Sequence, residues 1–158
     1  MNEEMLPVRV KGVAMPSDES LPVVVLGSVS GTIAVSVGAY EAGAIIMQLE
    51  GLSPARPLTH QLLAAFIEEQ GFSLKRAELY GVYGYEEDSF LARIVYGKGL
   101  KRWTRDVRPS DAIALALALK APLFAHSSLV CQGAEDNLEM NLSGEESTAY
   151  WCQESRAL

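Results

Sequence analysis

Two short segments carry the residue types best able to do chemistry: Arg56-Pro57-Leu58-Thr59-His60 and Arg108-Pro109-Ser110-Asp111. Each sets an arginine and a proline ahead of a hydroxyl residue at what reads as a helix start. A helix N-terminus offers unpaired N–H groups and a partial positive charge, so it receives anions. An arginine just upstream adds a planar fork suited to a phosphate or carboxylate. If both starts face one cleft, Arg56, Thr59, Arg108 and Ser110 make a two-sided anion cradle. The same residues have a purely structural reading, in which Thr59 and Ser110 are ordinary N-caps and the arginines pair with Glu50 or Asp106.

His60 and Asp111 fall in the first turns of these helices. Histidine is the side chain best suited to proton transfer near neutral pH, and a carboxylate can orient it, hold a metal, or simply complement the helix dipole. Glu41, Glu50, Asp106 and Asp111 could supply oxygens to Mg²⁺ or Mn²⁺. No CxxC, HExxH or EF-hand spacing supports a metal independently. Cys131 and Cys152 are not at zinc spacing, and His126, after the last expected strand, reads as a turn residue.

Basic residues cluster between 98 and 108: Lys98, Lys101, Arg102, Arg105 and Arg108 stand against one acid, Asp106, with Trp103 among them. Strand alternation groups Arg102, Thr104, Asp106 and Arg108 on one face, and Lys101, Trp103 and Arg105 on the other. Positive charge with an interleaved aromatic suits a phosphate backbone and a stacked base. The competing account is an edge strand guarded by Lys and Arg against aggregation.

The elements that must position these residues follow from pattern. Apolar, β-branched runs at 8–15, 22–27 and 32–37, separated by Pro/Ser/Gly punctuation, read as three antiparallel strands. Helical spacing of Ala42, Ile45, Ile46 and Leu49 predicts a helix over 39–50, with Gly51 at its C-terminal end. A Pro-rich linker (53–57) leads to a second helix from Thr59, its apolar stripe Leu62, Leu63, Phe66 and Ile67, closed by Gly71. Strands follow at 74–83, 90–96 and 100–107, then a helix over 110–120 capped by Ser110, and a short strand at 122–125. The order βββααβββαβ and the two Arg-Pro segments suggest a duplicated three-strand-plus-helix unit.

The chain has 158 residues, 49% hydrophobic and 21% charged, as for one soluble globular domain. No apolar run reaches the roughly 18 residues needed to cross a bilayer. With no basic leader and no disulfide framework, a cytoplasmic protein without a membrane partner is expected. Residues 131–158 carry six acids and one base, so most of the net charge of −7 belongs to them. Residues 1–130 are therefore read as the domain and 131–158 as an acidic tail, flexible or docked through Tyr150-Trp151.

Gly38-Ala39-Tyr40-Glu41-Ala42, Leu49-Glu50-Gly51, the Arg56–His60 segment and the stretch from Asp106 to Ala116 resemble, in order and spacing, the bifunctional nuclease family of bacteria and plant basal-defence proteins. The resemblance covers roughly residues 6–130. It implies an α+β fold built on a duplicated strand-rich unit, with mixed, mostly antiparallel sheets. It also implies hydrolysis of DNA and RNA with little sequence preference, and a homo-oligomer. Its motif positions fall on Glu41, Glu50, Arg56, Thr59, His60, Asp106, Arg108, Ser110 and Asp111.

On the reading of a small nuclease, His60, Glu41, Asp106 and Asp111 are expected to serve catalysis, with Glu41, Asp106 and Asp111 as candidate metal ligands. Arg56, Thr59, Arg108 and Ser110 are assigned to the substrate phosphate. The alternative is a non-catalytic regulatory domain that binds an anionic ligand or a partner protein at the same cradle. Two departures stand out. Gln61 occupies a position where the pattern commonly has an acid, and the acidic tail is no substitute for the UvrB/UvrC-like helical motif of plant members, so recruitment through that module is expected to be absent.

Overall fold

The computed structural model describes residues 4–84 and 90–131. In chain order the elements are β1 (Met5–Ala14), β2 (Val23–Ser28), β3 (Gly31–Ser36), α1 (Ala39–Leu49), α2 (Thr59–Glu69), β4 (Ser73–Val82), β5 (Phe90–Lys98), β6 (Lys101–Val107), α3 (Pro109–Ala118) and β7 (Leu123–His126). This is the expected order and an α+β fold.

All seven strands join one sheet in the order β3-β2-β1-β7-β4-β5-β6. Every pairing is antiparallel except β4 with β7. The two three-strand meanders thus flank β7 in mirrored order. Because β7 runs against β1 and along β4, β1 and β4 run in opposite senses. An in-plane half-turn exchanges the two meanders and leaves the helices that follow them, α1 and α3, on the same side of the sheet. There the two helices pack against each other.

Strand alternation turns Val24, Leu26, Val35, Leu79 and Ile94 toward the helices, and Ile45 of α1 and Ile113 of α3 close the core over them. α3 is buried almost throughout, from Ser110 to Ala116. α2 is different. Only Ala64 is buried, while Leu62, Leu63 and Phe66 of the expected apolar stripe are about half exposed. The stripe exists, but α2 lies at the rim and turns Leu63, Phe66 and Ile67 toward an open groove.

The opposite face carries a polar ladder across β4, β5 and β6, where Glu78, Arg93 and Asp106 stand in register. Glu78 is almost fully buried and accepts hydrogen bonds from Arg76 and Arg93. Burial pushes its pKa up, but the two guanidiniums outweigh that and hold the carboxyl below its ordinary range.

The chain end adds one more tie. Past β7 and a 3₁₀ turn at Ser127–Leu129, Cys131 exchanges backbone hydrogen bonds with Thr32, so the body reaches at least to that residue. Gly31, at φ +147, has no room for a side chain there, since a Cβ would lie 2.0 Å from the Cys131 carbonyl oxygen. The acidic tail, from residue 132 on, lies outside the described residues. His126 is a cap: its Nδ1 accepts the Ser128 N–H at 3.2 Å.

Candidate active site

The groove is bounded by α1, α2, α3 and the β5–β6 edge, with a volume of about 880 Å³. Its mouth is built from the first turns of all three helices: Tyr40 and Glu41 from α1, Thr59 and His60 from α2, Ser110 and Asp111 from α3. From there it follows α2 past Leu63, Phe66 and Ile67 toward Gln70, Phe72 and Tyr96.

The helix starts differ from the expected ones in a way that matters here. The cap positions, in extended backbone, are Gly38, Leu58 and Arg108, and none makes a side-chain cap hydrogen bond. Thr59 is the first helical residue of α2. In α3 Pro109 takes that position, where its fixed φ suits a helix and its missing N–H costs nothing, and Ser110 moves inside. Neither hydroxyl residue is a cap. The starts of three helices, each equivalent to roughly half a positive charge, therefore line one mouth, and no cap residue's own side chain bonds to their N–H groups.

Arg108 sits among them. Its Nε and Nη2 donate to the Asp111 carboxylate at 2.7 and 3.0 Å, and its Nη1 donates to Glu41 Oε1 at 3.1 Å. Asp111 raises the guanidinium's pKa above the ordinary range, first by hydrogen bonding and then by its charge, with Glu41 adding to it. Of five N–H donors two remain uncommitted among the described residues, on a side chain that is 65% exposed. Arg105 also lines the groove, so the charges of two arginines and two carboxylates cancel, and the helix ends leave the mouth positive.

His60 Nε2 is buried and has no hydrogen-bond partner among the described residues. Burial lowers the pKa of the ring from 6.5, so the imidazole is neutral at pH 7. A neutral, unpaired ring nitrogen beside a positive site can accept a proton.

The groove thus unites Glu41, Thr59, His60, Arg108, Ser110 and Asp111. It does not include Glu50, Arg56 or Asp106. Glu50 is the exposed C-cap of α1, at the far end of that helix, and Arg56 is exposed in the linker. Asp106 is on a strand whose alternation turns Arg105 and Val107 to the groove and Asp106 to the other face. There it accepts a hydrogen bond from Tyr80 at 2.9 Å, which raises the Tyr80 pKa. Grouping Arg108 with Asp106 fails for the same reason: β6 ends at Val107, and Arg108 leaves the alternation as the cap of α3.

Among the described residues no three His, Cys, Asp or Glu side chains come close enough to share a metal ion. Glu41 and Asp111 are the carboxylates at the mouth, and both are paired with Arg108. Gln61, standing where the family pattern has an acid, serves the helix start instead. Its Oε1 accepts the Leu58 N–H at 2.9 Å and ties down the first turn of α2.

Sequence reasoning missed Tyr40, Phe72 and Tyr96 as groove residues. No local signal marks them, because they come from α1, the α2–β4 junction and β5.

Two uncharacterized proteins of Mycobacterium tuberculosis, from strains CDC 1551 and H37Rv, are each 31% identical over 127 residues, covering 79% of this chain and 74% of the relative. The model of the bifunctional nuclease domain matches residues 24–137, a span that contains all three helix starts and the groove between them. The chain belongs to the bifunctional nuclease domain family.

Proposed function

We propose that this protein hydrolyses phosphodiester bonds in DNA and RNA with little sequence preference. The observation that carries the reading is Arg108, clamped by carboxylates from two helices at a mouth lined by three helix starts beside an unpaired histidine nitrogen. The two remaining Arg108 donors and the helix N–H groups hold the phosphate and take up the charge that grows on its oxygens. His60 takes a proton from a water as its oxygen bonds to phosphorus, its ring turning so that a nitrogen reaches the groove. The bond from phosphorus to the leaving sugar oxygen breaks, and that oxygen is protonated from solvent at the open mouth.

Thr59 and Ser110 belong to the phosphate site through their first-turn positions. Glu41 and Asp111 act as positioning residues for Arg108. Base contacts play no part in the mouth, which fits cleavage with little sequence preference.

The apolar floor of the groove favours a second reading, a non-catalytic domain that binds an anionic ligand or a partner protein. His60→Ala separates the two. Loss of turnover by about a hundredfold or more with oligonucleotide binding retained supports the hydrolase. Unchanged behaviour in both assays supports the binder.

A further inference from the structure

At the far end of the groove, Phe72 and Tyr96 of its wall pack against Trp103, and the three rings form an aromatic cluster. Trp103 stacks on Tyr96, with ring centroids 5.7 Å apart at 18°, and meets Phe72 at 5.6 Å and 55°. Although two rings pack on it, Trp103 is still 39% exposed. Lys98 Nζ stands 5.1 Å from the Phe72 ring centre. Trp103 shares the groove face of β6 with Lys101 and Arg105, so cations lie on both sides of it along the strand.

β6 is the edge of the sheet. Guarding an edge accounts for its lysine and arginines. It does not account for a half-open indole, which is itself a liability on an edge. Base recognition accounts for both, with cations for the backbone and an aromatic face for a base.

We infer that the groove takes single-stranded rather than duplex nucleic acid, with one base stacked on Trp103 beyond the scissile phosphate. This rests on the hydrolase reading for the position of that phosphate. Same-face residues on a strand are about 6.7 Å apart, so Val107 at the mouth, Arg105 and Trp103 form a track of about 13 Å leading away from Arg108. An apolar, aromatic-walled groove offers nothing to a duplex, whose bases are already stacked on each other. A single strand can turn its bases onto Tyr96 and Trp103 and keep its phosphates at Lys98, Lys101 and Arg105.

The test uses the full chain with Trp151→Phe, which leaves Trp103 as the one indole. Phosphorothioate oligo(dT), resistant to cleavage, is titrated alone and as a duplex with oligo(dA). Indole emission and fluorescence anisotropy are read together. The single strand is expected to quench Trp103 and to bind at least about tenfold tighter than the duplex. Trp103→Ala is expected to weaken single-strand binding by about tenfold, while Trp103→Phe retains most of it.

Equal or tighter duplex binding, no quenching at saturation, or full affinity in Trp103→Ala would each overturn the inference. So would a Trp103→Ala protein whose oligomeric state changes while its oligonucleotide affinity does not, which would make this face an interface between copies. Cleavage of unmodified oligonucleotide, followed in parallel, keeps the two readings apart. Cleavage without single-strand preference sinks only the inference, and quenching with preference but no cleavage sinks only the hydrolase.

Discussion

Arg108 and Asp111 are joined by two parallel hydrogen bonds of 2.7 and 3.0 Å across one turn of α3, so the guanidinium is fixed before any ligand arrives. A side-on pair of this kind uses Nε and Nη2 and leaves the Nη1 side for Glu41 and for substrate. Asp111→Asn is expected to keep the side-chain shape but loosen the fork, and to lower cleavage by about ten- to a hundredfold. Stability should change by no more than about 1 kcal/mol, because Arg108 is exposed. Rate and urea-unfolding measurements on the same variant check both halves.

The Glu41 carboxylate lies where a side chain on Gly38 would stand. A Cβ on Gly38 would come within 2.1 Å of Glu41 Oε2, so the carboxylate must move if one is added. We expect Gly38→Ala to push Glu41 off Arg108, to cost about 1 kcal/mol through the helix cap, and to lower cleavage. A Gly38→Ala protein with unchanged rate would remove Glu41 from the site.

The pH dependence follows from His60. Burial holds its pKa below 6.5, and the base form is the active one. Cleavage should stay flat down through pH 6.5 and fall only at lower pH, where the ring binds a proton. Folding stability should move the same way. The unfolded histidine binds its proton at the higher pH, so the protein is destabilised as pH falls below 6.5, and His60→Ala should reduce this dependence. A rate profile breaking above pH 6.5 would contradict the burial of the ring.

Glu78 offers a prediction about stability alone. Its folded pKa is depressed below 4.5, so its contribution is fully present above that value and is lost as pH falls through the folded pKa. Glu78→Gln is expected to cost about 1–3 kcal/mol at pH 7. The gap from wild type should close in acid, as denaturant titrations at several pH values would show.

Much of this architecture was legible in the residues. Sequence pattern placed the seven strands and three α-helices in their order, and Gly51 and Gly71 marked the ends of α1 and α2, where both glycines adopt positive φ. The two Arg-Pro segments pointed to helix starts at one site. What was not legible needed the third dimension. Local pattern does not say that β7 inserts between β1 and β4, because pairing partners are set by the whole sheet. The apolar stripe of α2 was legible but not its setting, since Leu63 and Phe66 have the same spacing whether they face a core or a groove. Asp106 and Arg108 share a parity that holds only while the strand lasts, and it ends between them. Arg56 matched the pattern of Arg108, but it lies in a linker with no carboxylate clamp among the described residues.

The most direct test of the central claim is cleavage of single-stranded RNA and DNA by the purified chain beside an Arg108→Ala/His60→Ala double variant. Both are prepared identically and assayed with and without Mg²⁺ or Mn²⁺. Cleavage by the wild type alone is the predicted result, and it excludes a contaminating nuclease. Equal cleavage by both proteins, or none by either, would contradict the account.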